Sequence, residues 1–224
     1  MVPRVLIDTA DLPGGGSLRL IQRGAEFSIM LGANELMNSR VRGSEEALAT
    51  MAIDRMPARS DPAMLIGGLG MGFTLRAALA GLGQGAAVTV AELVPQVVDW
   101  GRGPMAAVFA GCLDDPRVAI RVEDVRATIA ASALAYDAIL LDVDNGPDGL
   151  TQTANNRLYG LAGLAAARRA LRPGGVLAIW SAGADAAFTR RLGDAGFAVE
   201  EVVVRSSGKG TGQRHILWFA TKPE

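Results

Sequence analysis

Ala63-Met-Leu-Ile-Gly-Gly-Leu-Gly-Met-Gly72, followed at once by Phe73-Thr-Leu-Arg-Ala-Ala-Leu79, decides how the rest of the chain is read. A short apolar run ends in four glycines within six residues and gives way to a helical pattern. This is a buried strand, a tight turn and a helix N-terminus. Glycine suits such a turn because it reaches positive φ and lets a ligand approach the backbone closely. A second apolar run, Ala87-Val-Thr-Val-Ala-Glu92, ends in an acid about twenty residues further on, where a carboxylate can accept two hydrogen bonds from a ribose diol. Turn and acid together read as a nucleotide-cofactor site; a purely structural turn is the alternative.

On either side of this unit, apolar runs and helical patterns alternate. Strands are expected near 63–67, 87–92, 117–121, 137–142 and 175–180, and helices near 73–80, 94–101, 124–132, 156–171 and 185–195. Near-continuous apolar strands separated by helices imply a parallel sheet covered on both faces. The ending breaks the rhythm: 197–205 and 214–221 are two strands with only a loop between them, so the last strand is antiparallel. Upstream, 17–22 and 26–31 flank Arg23-Gly24-Ala25 as a small hairpin, and Ser44 is the expected N-cap of a helix over 44–56 with acids in its first turn. The expected architecture is α/β: a Rossmann-like seven-stranded sheet of the AdoMet-methyltransferase type, its last strand antiparallel, with a small N-terminal β-hairpin. The division falls at 1–43 for the hairpin extension and 44–224 for the transferase domain.

Bulk properties narrow the function. The 224 residues suit one domain, and the net charge of −1 gives no reason to expect nucleic acid or an anionic membrane as a partner. One cysteine, Cys112, excludes an internal disulfide and a cysteine-rich metal site. The first residues do not resemble a signal peptide and no apolar run reaches about 18 residues, so a cytoplasmic protein is expected. The single histidine, His215, lies in an apolar strand-like run as a packing residue, which excludes Ser-His-Asp triads and two-histidine metal sites. Trp100, Trp180 and Trp218 also read as packing residues, and the Gly208-Lys-Gly-Thr-Gly212 loop as a hairpin tip.

The dinucleotide fingerprint G-x-G-x-x-G fails here, because its third glycine would fall on Phe73 or Leu75, and no Gly-Lys-Ser/Thr follows for a P-loop. Further acids stand at strand ends, where ligands bind in such sheets. Asp124 follows the third strand, as a ligand contact or as an N-cap only. Asp142 ends the fourth, with Asp144 and Asp148 close behind. Acids gathered at a strand mouth repel one another, and a cationic or metal-bound partner would relieve them; the alternative is a solvated polar loop.

From about Leu31 to Trp180 the chain resembles the spermidine synthase-like group of the class I S-adenosylmethionine (AdoMet) transferases. The matching stretches are Met64 to Arg76, Ala91-Glu-Leu-Val-Pro-Gln-Val-Val98, Asp115-Pro-Arg-Val118, Tyr136-Asp-Ala-Ile-Leu-Leu-Asp142 and Leu171-Arg-Pro-Gly-Gly-Val-Leu177, in the family's order and spacing. The resemblance implies a cofactor site of Gly67, Gly68, Gly70, Gly72, Glu92, Leu93, Asp124, Val125 and Asp142. In it Glu92 holds the ribose hydroxyls, Asp124 the adenine amino group, and Asp142 lies by the sulfonium. A homodimer is plausible on the same ground.

The chain departs from that family in the substrate pocket. The family's glycine loop carries an aspartate for the amine of decarboxylated AdoMet; here that place is Gly70, with no acid from Gly67 to Thr74. The second acid of the polyamine makers falls on Asn145, with Asp144 one residue early, and the family's Gln and Tyr-His-Glu correspond to Glu35 and Ser44-Glu45-Glu46. A buried amine left without its carboxylate loses on the order of 2–5 kcal/mol. The first expectation is therefore transfer of an alkyl group, methyl favoured, from AdoMet to a small nucleophilic acceptor. Asp142 is the first candidate base and Asp144 the second; the 145–150 loop and the 44–56 helix shape the acceptor pocket, and Arg40 and Arg42 are solvated or hold an acceptor carboxylate. Aminopropyl transfer from decarboxylated AdoMet and nucleotide binding without turnover remain alternatives. A minor one is Mg²⁺ held by Asp142, Asp144 and Asn145; otherwise no metal is expected.

Overall fold

The computed structural model describes residues 2–143, 157–207 and 211–224. The expected hairpin is present as β2 (Ser17–Arg23) and β3 (Glu26–Leu31), joined across Arg23 and Glu26. It forms the middle of a four-stranded antiparallel sheet, flanked by β1 (Val5–Asp11) and β4 (Asn34–Asn38). Those outer strands were not expected from the sequence. β1 has no alternation to read, because all its residues except Ala10 are exposed.

The second sheet has seven strands in the order β10-β11-β9-β8-β5-β6-β7. β5 (Ala63–Gly67), β6 (Ala87–Glu92), β7 (Val118–Val122), β8 (Tyr136–Leu141) and β9 (Leu171–Ser181) are mutually parallel. β11 (Arg214–Thr221) inserts between β9 and β10 (Ala198–Arg205), antiparallel to both, as the two-strand ending requires. Between the strands run α1 (Gly43–Ile53), α2 (Phe73–Gly81), α3 (Pro95–Arg102), α4 (Ala106–Phe109), α5 (Val125–Ala130), α6 (Leu161–Ala170) and α7 (Ala186–Asp194).

Alternation along the central strands divides the interior in two. Met64, Ile66, Ala138 and Leu140 face one core, which holds Leu48 of α1, Leu75 of α2, Trp100 of α3 and, from the N-terminal sheet, Leu20 and Ile29. Leu65, Ile139 and Leu141 face the other, with Ile129, Leu164 and Phe188 of α5, α6 and α7. The N-terminal sheet thus shares the core of the first face. It is tied further by Trp100, whose Nε1 donates to Asp8 of β1 at 2.7 Å. Trp218 is packed, as expected, edge-on to Phe188 at 5.0 Å. His215 is buried and tilted over Trp180, also as expected, and burial holds its imidazole below the ordinary pKa.

Ser44 does not cap α1. The helix begins one residue earlier, after Arg42, and the Gly43 N–H donates to the Ser206 carbonyl of the facing loop. Ser44 is instead buried in the first turn, where its hydroxyl bonds Glu45 Oε2 at 2.6 Å.

At the N-terminal end of β8, away from the strand mouths, Asp137 is fully buried. It accepts from the Ala63 N–H at 2.8 Å and pairs with Arg59 and Arg172, each at 2.7 Å. This carboxylate ties β8 to β5, to β9 and to the loop that carries Arg59. Asp137→Ala leaves the Ala63 N–H without its acceptor and both guanidinium groups without a counter-charge. It is expected to lower stability by about 3 kcal/mol, read as a lower urea midpoint at unchanged slope.

Candidate functional site

A cavity of about 280 Å³ opens at the C-terminal ends of β5, β6 and β8, and its other wall is the N-terminal sheet. Gly68, Gly70, Glu92, Asp124, Asp142 and Glu45 line the first side; Leu18, Ile29, Leu36 and Met37 line the second. Leu93 and Val125 also reach it, Leu93 about half exposed and Val125 buried. Of the expected glycines, Gly67 and Gly72 do not line the cavity. Gly67 ends β5 and packs under Val125, and Gly72 precedes α2.

The glycine turn lies between the two neighbouring strands. The Gly68 N–H donates to the Ala91 carbonyl of β6 at 2.9 Å, and the Asp142 N–H donates to the Gly67 carbonyl at 3.0 Å. Gly68 has φ +87°, and a Cβ there would collide with the Asp142 carbonyl oxygen. Only glycine fits this approach.

Glu92 is buried and uses both oxygens on backbone. Oε2 accepts from the Leu69 N–H and Oε1 from the Val94 N–H, both at 2.8 Å. Burial raises its pKa, and the backbone donors of Leu69 and Val94 offset part of that rise. Each oxygen keeps a lone pair for a further donor. Asp124 is both an N-cap and a cavity residue. It accepts from the Arg126 N–H at 2.9 Å and pairs with the Arg126 guanidinium at 2.5 Å. Burial pushes its carboxyl up, but the Arg126 side-chain and backbone hydrogen bonds outweigh this and hold it below the ordinary value.

Asp142 follows β8, partly open to the cavity, and accepts from the Thr74 hydroxyl of α2 at 2.7 Å. Burial and then the nearby Glu45 carboxylate push it up to about 7, against the Thr74 hydrogen bond. Glu45, expected as a first-turn acid of the helix that shapes the acceptor pocket and not as a candidate base or cofactor ligand, lines the cavity as well. Burial raises its carboxyl too, against the Ser44 hydroxyl. Its neighbour Glu46 turns outward to Arg42 at 3.1 Å, both side chains exposed. Arg40 pairs with Glu26 and Glu35 on the outside of the N-terminal sheet, so it and Arg42 are the solvated groups. Trp180, expected as packing alone, also reaches the cavity wall. Asp144, Asn145, Asp148 and the tip at 208–210 lie outside the described residues. Among the described residues no three His, Cys, Asp or Glu side chains gather as metal ligands, and no helix is long and apolar enough to cross a membrane.

Comparison with solved structures gives the fold its class. The spermidine synthase of Thermotoga maritima superposes with a TM-score of 0.77 at 18% identity, over 97% of this chain and 72% of that one. A spermidine synthase in complex with the transition-state analogue AdoDATO gives 0.75 with the same identity and coverage. The fold is that of these spermidine synthases. In sequence, part of the chain is similar to polyamine aminopropyltransferases. The polyamine aminopropyltransferase of Mycobacterium tuberculosis is 35% identical over 128 residues, 55% of this chain and 24% of that protein. Polyamine aminopropyltransferase 2 of Pseudomonas aeruginosa is 35% identical over 120 residues, 52% of this chain and 32% of that protein. These matches thus span about a quarter to a third of the curated relatives' length. No protein-family model matches the chain.

The raised carboxyl of Asp142 makes the site costly to the fold. Its folded pKa of about 7 lies above the ordinary 3.8, so the unfolded chain loses this proton first as pH rises. Stability therefore falls between those two values, and the whole penalty is present above pH 7. Asp142→Asn keeps an acceptor for Thr74 and removes the charge. Its melting temperature is expected to exceed that of the unmodified chain by about 5 °C at pH 8 and to equal it at pH 4, measured by scanning calorimetry.

Proposed function

We propose that this chain is a transferase of the spermidine synthase type that moves an aminopropyl group from decarboxylated AdoMet to a small primary amine. The observation that carries the reading is Asp142: a carboxylate held near pKa 7, in one cavity with Glu92, Asp124 and the glycine turn. The cavity suits a nucleoside, with a glycine cradle whose space a Cβ would fill and two half-buried carboxylates, Asp142 and Glu45, that have no cation among the described residues. The expectation that methyl is the group transferred gives way. The named relatives are aminopropyltransferases, which favours the decarboxylated donor over AdoMet.

An aliphatic ammonium has no lone pair to attack with, so the acceptor must lose a proton at the donor. Asp142 is suited to take it, since a base works best with a pKa near the working pH. The freed nitrogen attacks the methylene bound to the sulfonium. As the C–N bond forms, the C–S bond breaks and its electron pair returns to sulfur, leaving a neutral thioether nucleoside. The proton on Asp142 then passes to solvent. Glu92 and Asp124 hold the nucleoside, and the remaining contribution is alignment. β1, an exposed edge carrying Val5, Leu6 and Ile7, is the surface we assign to a second copy.

Titration calorimetry with AdoMet and decarboxylated AdoMet, followed by a transfer assay with a 1,4-diamine, tests the reading. Tighter binding of the decarboxylated donor and release of methylthioadenosine are expected; preference for AdoMet, or binding without product, would reject it. Asp142→Asn is expected to lower kcat by roughly 10²- to 10⁴-fold while methylthioadenosine affinity stays unchanged.

A further inference from the structure

The cavity's four carboxylates divide into two kinds. Asp124 has Arg126, and Glu92 has the N–H groups of Leu69 and Val94. Among the described residues, the side-chain partners of Asp142 and Glu45 are hydroxyls, those of Thr74 and Ser44. Neither forms an ion pair among the described residues, and each sits close enough to the other for like-charge repulsion to raise Asp142. Two such carboxylates in an enclosed wall need a shared proton or a cation. A primary ammonium held on Glu45 through its N–H donors supplies that cation and leaves Asp142 free to take a proton.

The glycine loop does not supply such an acid itself. Gly70 has φ +52°, and a Cβ built on it would lie 3.1 Å from Met37 Sδ of β4. Met37 would have to shift slightly, and the positive φ at 70 is one that side chains rarely adopt. The uncompensated charge on this wall therefore comes from α1 and the end of β8. Its position is set by Thr74, whose hydroxyl lies 2.7 Å from Asp142 Oδ2 and 3.4 Å from the Glu45 carbonyl.

We propose that Glu45, beside Asp142, holds the terminal ammonium of the donor's aminopropyl arm and makes the site select decarboxylated AdoMet over AdoMet. The assignment rests on the aminopropyl-transfer reading above. AdoMet carries a carboxylate on the same carbon as its ammonium, and that carboxylate would meet two like charges in a dry wall. The decarboxylated donor brings only the cation. Glu45 is thus a specificity residue, distinct from the base at Asp142 and from the groups that hold the nucleoside.

Calorimetry at pH 8 with decarboxylated AdoMet, AdoMet and methylthioadenosine, on the unmodified chain and on Glu45→Gln, separates the possibilities. The substitution is expected to weaken decarboxylated AdoMet by roughly 30-fold or more, to leave methylthioadenosine within about twofold, and to shrink the preference over AdoMet. Ser44→Ala, which keeps the carboxylate but frees its orientation, should act in the same direction and less. Undiminished donor binding in Glu45→Gln overturns the assignment while methylthioadenosine binding keeps the nucleoside site intact. Unchanged donor affinity with a raised KM for the diamine also overturns it, by giving Glu45 to the acceptor. If the unmodified chain binds none of the three ligands, the transferase reading falls and this assignment with it.

Discussion

The site depends on one clamp, in which the glycine turn is held between the ends of β6 and β8. Gly68 donates to Ala91, Asp142 donates to Gly67, and the Leu69 N–H donates to Glu92. The clamp closes only because Gly68 brings no Cβ against the Asp142 carbonyl. Its consequences are chemical as well as mechanical. Glu92 is fixed by the turn it helps to hold, and Asp142 is delivered to the hydroxyl of Thr74 in the first turn of α2. A wider turn would separate the nucleoside-holding acid from the acid that meets the reacting end.

Two aspartates on one stretch of chain show how position decides role. Asp137 and Asp142 bracket β8. The first is surrounded by Arg59, Arg172 and the Ala63 N–H, all compensating its charge. The second has one hydroxyl and an acid for a neighbour. One end of the strand is therefore electrostatically closed and holds the sheet together. The other is left open, at a cost to stability that a cationic ligand would remove.

The sheet was legible in the sequence because parallel strands buried on both faces must be largely apolar, and β5, β6 and β8 are, apart from Thr89, Glu92 and Asp137. The inserted β11 followed from two strands with no helix between them. β1 and β4 were not legible, since β1 is almost wholly exposed, β4 has no buried residue, and neither shows a period. Part of the candidate site could be placed from strand ends alone: Glu92, Asp124 and Asp142 each stand where a strand stops, and the structure brings all three to one cavity. Glu45 could not. Which of two adjacent first-turn acids points inward depends on how α1 packs, and that is settled by contacts far along the chain, such as Gly43 with Ser206. The Ser44 cap failed for the same reason, because a burial site claimed its hydroxyl first.

The N-terminal sheet contributes Leu18, Ile29, Leu36 and Met37 to the wall opposite the acids. Hydrocarbon there means that few water dipoles stand between a ligand and the carboxylates, so their field reaches it with little screening. The same side chains belong to, or pack against, the core shared by both sheets. A ligand seated between the walls would therefore act as mortar, and the energy with which it binds would also appear as resistance to separating the two sheets.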